Sequence, residues 1–311
     1  MILSCGEALI DFVPVQDEGG SILYRPCPGG FPYNTAVALG RLGVPAGFCC
    51  GLLRDFFGSL LLSHLERSKV RTDWVSRIDR DTTLAFVSAE SANAEVEYAF
   101  YCRDTADRSL KETDLPSSLP ENVRLLQFGS VSLVLEPTAS TLEQLMFRES
   151  SKRLVALDPN IRSGLIPDRD SYCRRFESWL DHVDLLKASV TDLEWLYPEY
   201  SPLDAVRAIL KNRVQVVFLT SGADGAWACT EKHLVFVEAE RIRVLDAVGA
   251  GDSFHAGTLC RLWEEGRLSS GGLDGMTEQE LRDCLSFAGH VAAKTCSRSG
   301  ADSPWREELK N

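Results

Sequence analysis

Apolar residues in this chain alternate between short continuous runs and stretches with helical spacing. The short runs lie at residues 2–10, 124–128, 153–157, 183–187 and 214–219. Each has the length of a strand, and helical patterns separate them, which is typical of a parallel sheet with helices on its faces. We therefore predict an α/β fold with a mostly parallel central sheet.

Two helices can be placed from the residues at their ends. Ser201 is a candidate N-cap, and Pro202 follows it at the first helical position, where a missing N–H is tolerated. The helical pattern of residues 34–45 meets Gly43 near its end, which is a usual stop signal. Both segments are expected to cover the sheet.

Two segments, residues 13–30 and 83–104, break this alternation. In the second, apolar side chains recur at every other position from Val96 onward, after a polar turn at residues 91–95. A period of two predicts a β-hairpin, which a strand from the first segment would extend. We expect one domain over residues 1–311, with this small sheet projecting from it as a lid.

Composition and charge narrow the possible partners. The 311 residues carry a net charge of −12, which disfavours nucleic acid and anionic membranes as main partners. No apolar run approaches the roughly 18 residues of a membrane span. The first residues lack the basic region of a signal peptide, and the ten cysteines show no CxxC pair. We expect a cytoplasmic protein with reduced cysteines.

Polar residues or glycine follow each apolar run directly. They are Asp11, residues 129–130, residues 158–160 with Asn160 at their end, Ser189, and residues 220–222; Ser130 ends the second of these. In open α/β sheets, ligands bind outside the carboxyl ends of the strands. These residues are therefore expected to form the walls of a binding site.

The segment DAVGAGDSFHAG, residues 246–257, predicts an anion site. Apolar positions recur at helical spacing after Asp252, so Gly249, Ala250 and Gly251 lie at a helix N-terminus, where free N–H groups and the helix dipole attract anions. A carboxylate gains nothing beside a bound phosphate, but it suits a proton acceptor in phosphoryl transfer. A tight turn with an acid that only complements the dipole is the simpler interpretation, and the full DxxGAGD string disfavours it.

This segment resembles the second signature of the ribokinase-type (PfkB) sugar kinases. Residues 29–43, GGFPYNTAVALGRLG, resemble their first signature, and the likeness extends to TCSRSGADSPWREE near the end of the chain. No GxxxxGK[ST] string is present, and this family holds nucleotide phosphates without one. The resemblance implies a ribokinase-like fold with a β-sheet lid, and transfer of a phosphoryl group from MgATP to a sugar hydroxyl.

The resemblance assigns roles to individual positions. It implies that Asp252 is the catalytic base and that the amides of Gly249, Ala250 and Gly251 bind the transferred phosphoryl group. The implied sugar-binding residues are Asp11, Gly29, Gly30, Asn34, Arg103 and Arg162. Simpler roles are a turn residue for Asp11, a helix cap for Asn34 and a surface ion pair for Arg162.

Further positions resemble the nucleotide and metal sites of the family. The ATP site would include Lys187, Ser189, Thr220, Gly222 and Gly225, and Asp192 would organise Mg²⁺ through water. A K⁺ site would use, mostly through backbone carbonyls, Asp246, Val248, Thr295, Arg298, Gly300 and Ser303. The chain departs from the family pattern at Ser189 and Asp192, which disfavours direct contact of these side chains with magnesium. It also departs at Ala247, which lacks the usual threonine hydroxyl, and at Cys50.

The sugar is expected to be fructose, because residues 100–110, FYCRDTADRSL, look more like bacterial fructokinases than ribokinases. Arg103 keeps 2-keto-3-deoxygluconate open as an acceptor, since a cation there would suit a carboxylate. The sequence also leaves open ribose or a nucleoside as the acceptor, and a non-catalytic sugar-binding relative of these kinases. The unpaired strand edges of the lid predict a homodimer formed through it.

Overall fold

The computed structural model describes residues 1–16, 19–88, 98–269 and 271–310. Its larger sheet has nine strands, which in spatial order are β13 (Leu234–Glu238), β12 (Gly225–Cys229), β11 (Val216–Thr220), β10 (Leu185–Ser189), β9 (Leu154–Asp158), β8 (Leu125–Gly129), β1 (Ile2–Cys5), β4 (Ala46–Leu52) and β5 (Val70–Arg77). The strands from β11 to β5 pair in parallel, whereas β12 and β13 run antiparallel at one edge. The predicted mostly parallel sheet is confirmed.

Helices cover both faces of this sheet. They are α1 (Phe31–Arg41), α2 (Phe56–Arg67), α3 (Thr138–Glu149), α4 (Arg169–Leu180), α5 (Val190–Leu196), α6 (Pro202–Ile209), α7 (Ala250–Glu264) and α8 (Glu278–Cys296). Successive strand residues enter opposite cores: Ile2 packs with α1, α7 and α8, and Leu3 packs with α3 and α4. No helix in the described ranges is long and apolar enough to cross a bilayer.

The predicted helix ends are confirmed with small shifts. Ser201 caps α6 by accepting a hydrogen bond from the Asp204 amide, and Pro202 is the first helical residue. The helix predicted within 34–45 begins earlier, at Phe31, and ends at Arg41 before Gly43, which has a φ of +86°.

One predicted strand is wrong. The apolar run 2–10 is two strands in different sheets, β1 and β2 (Leu9–Gln16), and the chain changes direction between them. Gly6 allows this break, because its φ is +152° and a Cβ atom there would lie 2.4 Å from the Pro32 ring. The other four runs match strands whose bounds shift by one or two residues.

The lid is a separate four-stranded sheet with the order β3 (Ile22–Gly29), β2, β6 (Leu84–Val87) and β7 (Tyr98–Tyr101). The predicted hairpin is confirmed, since β6 and β7 pair antiparallel, but the predicted turn at 91–95 lies outside the described residues. The first segment supplies two strands rather than one, and the sheet begins at Leu9 rather than at residue 13. Asp11 therefore lies within a lid strand and not at the tip of a central strand.

The α7–α8 contact generates a test of the packing. Gly257 of α7 faces α8 so closely that a Cβ atom would lie 2.8 Å from the Ala288 Cα, whereas a Cβ at Gly289 of α8 would meet nothing within 4 Å. We expect Gly257→Ala to destabilise the fold by about 1–3 kcal/mol through overpacking. Its control, Gly289→Ala, should be neutral or stabilise by up to about 1 kcal/mol, because alanine loses less backbone entropy. Urea unfolding measures both, and equal midpoints would contradict this account of the interface.

Candidate active site

A cavity of about 280 Å³ opens where the carboxyl ends of the central strands face the lid. Its lining residues come from both parts of the molecule: Glu7, Leu9, Asp11, Gly30, Phe31, Asn34, Phe100, Ser130, Val131, Asn160, Arg162, Lys187, residues 246–249, Gly251 and Asp252. The cavity thus combines the two signature segments at the sheet edge that the sequence indicated. The wall of the cavity is formed where the lid meets the main sheet.

The glycine-rich segment forms the N-terminus of α7, as predicted. Gly249 is the N-cap with a left-handed φ of +77°, and a Cβ there would lie 2.6 Å from the Ala301 Cβ. The Ala250 amide already donates to the Ala247 carbonyl over 3.2 Å. Within the described chain no backbone partner is recorded for the Gly249 and Gly251 amides, so these two can donate to an anion.

Asp252 lies in the first turn of α7, inside the cavity wall. Burial raises the pKa of its carboxyl group, and a hydrogen bond from Asn34 together with the charges of Lys187 and Arg162 limits the rise. The Asn34 Nδ2 atom donates to the Asp252 Oδ2 atom over 2.8 Å. Asn34 is therefore not a helix cap, since it lies inside α1 and orients this carboxylate.

Asp11 faces the same space from the lid strand β2. Burial raises its pKa to about 7, the negative charge of Asp252 adds to the rise, and Arg162 opposes it. A side chain on Gly29 would put a Cβ atom 2.0 Å from the Asp11 Oδ2 atom, and one on Gly30 would lie 2.9 Å from the Glu7 carbonyl oxygen. Both glycines are needed because neighbouring polar groups approach them so closely.

A buried ion pair stands behind the anion site. The Lys187 Nζ atom on β10 lies 2.7 Å from the Asp158 Oδ2 atom on β9, and both side chains are almost fully buried. Burial disfavours the charge of Lys187, but the carboxylates of Asp158 and Asp192 raise its pKa, so it stays an ammonium ion. A Cβ on Gly251 would lie 3.2 Å from Nζ, which places this cation beside the free amides.

Both carboxylate oxygens of Asp192 already accept hydrogen bonds from the protein. Its Oδ1 atom accepts the Ile161 amide over 2.8 Å, and its Oδ2 atom accepts the Ser189 amide and hydroxyl over 2.8 and 2.6 Å. Ser189 caps α5 in return. Asp192 does not line the 280 Å³ cavity; it holds the loop that carries Asn160 and Arg162, and its contact with magnesium stays a prediction.

The predicted nucleotide segment lies farther along the same edge. Thr220 at the end of β11 is the register partner of Ser189 at the end of β10. Gly222 has a φ of +53° with open space around it, whereas a Cβ on Gly225 would lie 2.2 Å from the Val237 carbonyl oxygen. Strand pairing therefore accounts for Gly225, and only Gly222 leaves open backbone for a ligand.

The residues predicted for K⁺ tie two loops together. The Asp246 carboxylate accepts the Val248 amide over 2.9 Å and the Gly300 amide over 2.7 Å. The Ser303 carbonyl accepts a hydrogen bond from Arg41 over 2.5 Å, so this oxygen already has a donor. Thr295 and Arg298, the other two residues predicted for K⁺, also have contacts within the protein. The Thr295 hydroxyl lies 2.8 Å from the Ser253 hydroxyl, and Arg298 pairs with Glu308 over 2.7 Å.

The two candidate arginines differ in position. Arg162 lines the cavity and its charge acts on Asp11 and Asp252. Arg103 is exposed beyond the end of β7 and is absent from the described cavity lining. The structure therefore does not bring Arg103 to the predicted sugar site.

The TADR string, which pointed to fructose, lies at the base of the lid. The Thr83 hydroxyl, just before β6, lies 2.6 Å from both the Asp107 Oδ1 atom and the Thr105 hydroxyl. The Arg108 guanidinium donates to the Cys102 carbonyl over 3.0 Å. These residues hold the base of the lid together and are not among the residues that line the cavity.

Sequence reasoning missed one charged wall residue, Glu7. It is 2% exposed, and burial raises its pKa to about 7. Its Oε1 atom accepts the Phe31 amide over 3.2 Å, and its Oε2 atom has no partner in the described chain. An acid inside the apolar run 2–10 was the available signal. Ser130 and Asn160 line the cavity, as the strand ends predict, and their left-handed φ values are +60° and +40°.

Comparisons with known proteins identify the family of the chain. A model of the pfkB family carbohydrate kinases matches residues 1–308. Fructokinase from Rhizobium leguminosarum bv. trifolii is 39% identical over 284 residues, which is 91% of this chain and 86% of that protein. Probable fructokinase-5 from Arabidopsis thaliana is 30% identical over 309 residues, 97% of this chain and 93% of that protein.

The solved structure of fructokinase from Xylella fastidiosa with bound ATP superimposes with a TM-score of 0.89 at 26% identity, covering 99% of this chain and 96% of that one. The ribokinase-like fold and the family resemblance predicted from the sequence are confirmed. The chain belongs to the pfkB family of carbohydrate kinases.

Proposed function

We propose that the protein transfers the γ-phosphoryl group of MgATP to the primary hydroxyl of D-fructose, giving fructose 6-phosphate. The observation that carries the proposal is the position of Asp252, which lines the same cavity as Gly249 and Gly251 at the start of α7 and Asp11 of the lid. Asp252 also accepts a hydrogen bond from Asn34. Relatives of the protein in bacteria and plants are named fructokinases, which supports fructose over other acceptors.

The sugar would bind between the lid and α1. The carboxylate of Asp11 and the side-chain amide of Asn34 suit paired hydroxyl groups of a sugar. The carboxylate accepts hydrogen bonds, and the amide can both donate and accept them. Gly30 lets the backbone come close to the ring. Phe31 and Phe100 line the same cavity and would exclude water, which is a competing acceptor.

Asp252 would act on the attacking hydroxyl of the sugar. Its carboxylate takes the proton of that hydroxyl as the bond from its oxygen to the γ-phosphorus forms, while the bond from this phosphorus to the β,γ-bridging oxygen breaks and ADP leaves with the electron pair. The amides of Gly249 and Gly251 and the Lys187 ammonium face the charge that develops on the transferred group. The Ala250 amide donates to the Ala247 carbonyl in this structure. It can bind the transferred phosphoryl group only if this weak hydrogen bond breaks.

ATP would extend along the ends of β10 and β11, toward Ser189, Thr220 and Gly222. Magnesium belongs to the nucleotide phosphates in this proposal, since both Asp192 oxygens already accept protein hydrogen bonds. A K⁺ ion next to residues 246–248 stays a prediction. So do a homodimer through the lid, whose outer strand exposes Ile22 and Leu23, and a cytoplasmic location.

The second candidate acceptor, 2-keto-3-deoxygluconate, would need a cation for its carboxylate. Arg162 is in place for that contact, whereas Arg103 is not. A non-catalytic sugar-binding relative is disfavoured because the proton acceptor, the free amides and a buried cation are all present together.

The substrate assignment predicts that MgATP turnover is fastest with fructose. ADP release is measured with fructose, 2-keto-3-deoxygluconate, ribose and adenosine, each in potassium and in sodium salts. Potassium should raise the rate if its predicted site exists. A preference for the sugar acid would reassign Arg162 to a carboxylate, and turnover with none of the four would overturn the substrate proposal.

The role of Asp252 predicts that Asp252→Asn lowers kcat by at least ~100-fold while the melting temperature and fructose binding persist. The matched control is Asp170→Asn, because Asp170 is likewise an acid in the first turn of a helix but is exposed on α4. That control should keep activity within a few-fold. If both variants retained activity, Asp252 would only complement the helix dipole.

The charges around Asp252 predict an acid limb in the pH profile. Because the pKa of Asp11 is raised to about 7 and that of Asp252 is also raised, the pair gains protons as the pH falls, and kcat/KM should drop below about pH 7. Asp11→Asn removes a negative charge beside Asp252, which lowers the Asp252 pKa. The acid limb should then move to lower pH while the KM for the sugar rises. An unmoved limb would show that the two carboxylates are not coupled.

A further inference from the structure

A second cavity, of about 580 Å³, opens at the edge of the central sheet opposite the active site. Arg124, Arg153, Asp184 and Gln215 line it, and each stands directly before one of the strands β8 to β11. The two cavities share no lining residue among those described. Its volume is in the range of small-molecule sites. We call it the far cavity.

The far cavity is basic although the chain as a whole carries a charge of −12. Its lining contains Arg124, Lys152, Arg153 and Arg213 against Glu121 and Asp184. Arg153 and Arg213 are used internally, since they pair with Glu149 over 2.8 Å and with Asp184 over 3.0 Å. The side chains of Arg124 and Lys152 form no ion pair or hydrogen bond with any described residue.

Backbone contacts explain only half of these cations. Arg213 donates over 2.8 Å to the carbonyl of Ser150, the C-cap of α3, where basic side chains commonly bind free carbonyl groups. Arg153 donates over 2.8 Å to the carbonyl of Val123, in the segment before β8. Arg124 and Lys152 have no such contact in the described chain. Their positive charges are thus available to a ligand.

A neutral acceptor lies in the same wall. The Gln215 amide nitrogen donates to the Asp184 Oδ1 atom over 3.1 Å, and that carboxylate also takes Arg213 and the Val155 amide. The charge of Asp184 is therefore balanced by Arg213, and its side chain is held in place by these hydrogen bonds. The Gln215 Oε1 atom is buried and lacks a partner in the described chain, which is unfavourable unless a donor reaches it.

We propose that the far cavity binds a small phosphorylated polyol. The phosphate lies between Arg124 and Lys152, where charge-assisted hydrogen bonds are strong. A hydroxyl of the ligand donates to the Gln215 Oε1 atom once the side chain turns this buried atom toward the cavity. This site is separate from the kinase site, and its existence does not depend on fructose being the acceptor there.

Hydrogen–deuterium exchange with fructose 6-phosphate as the probe tests the proposal, because it reports each cavity separately. We expect protection of peptides covering residues 121–124, 150–154 and 213–215, whatever happens at residues 246–252. Arg124→Glu combined with Lys152→Glu should weaken this protection at least ~10-fold in apparent Kd, about 1.4 kcal/mol. Arg174→Glu combined with Lys232→Glu, which changes the charge equally at exposed positions outside the cavity, should leave it intact.

Protection confined to 246–252, or an equal loss in both double variants, would overturn the site. Gln215→Met should weaken fructose 6-phosphate but not inorganic phosphate, since only the polyol donates to Gln215. If wild-type protein bound inorganic phosphate as tightly as fructose 6-phosphate, the polyol contact would be wrong.

Discussion

The active site depends on how tightly α7 is held in place. Gly249 brings the start of this helix against Ala301, and Gly257 brings its middle against Ala288 of α8, both at distances that leave no room for a Cβ atom. Free amides can bind a transferred group only if their positions are fixed to a fraction of an ångström. Close packing supplies that precision, and the strand ends bring Lys187 and Asp158 to the same place.

Around this helix the protein gathers more negative than positive charge. Glu7, Asp11 and Asp158 each have a pKa raised to about 7, chiefly by burial, and Lys187 and Arg162 are the cations placed among them. Burial likewise raises the pKa of the proton acceptor, Asp252, as is common for groups at functional sites. This arrangement of charges also suits substrates that arrive with hydroxyl donors on one side and a metal-bound polyphosphate on the other.

Much of this could be predicted because the signals are local. Strand runs, the α6 cap and the helix after Asp252 depend on a few neighbouring residues, and the two signature segments led directly to the site. The sequence could not show that Gly6 splits the first run, since the reason is Pro32 reaching back from α1. For the same reason it missed the internal bonds of Asp192 and the distance of Arg103 from the cavity, which depend on tertiary contacts.

The three raised carboxyl groups also affect folding itself. An unfolded chain ionises them near pH 4, whereas the folded chain releases their protons only near pH 7. Their contribution to stability is thus fully present below about pH 4 and is lost as the pH rises toward 7. At neutral pH ionisation of these carboxyl groups carries a desolvation cost, because burial is the main cause of each shift, and a nearby cation would offset it. The catalytic site and the stability of the fold therefore make opposing demands on the same residues.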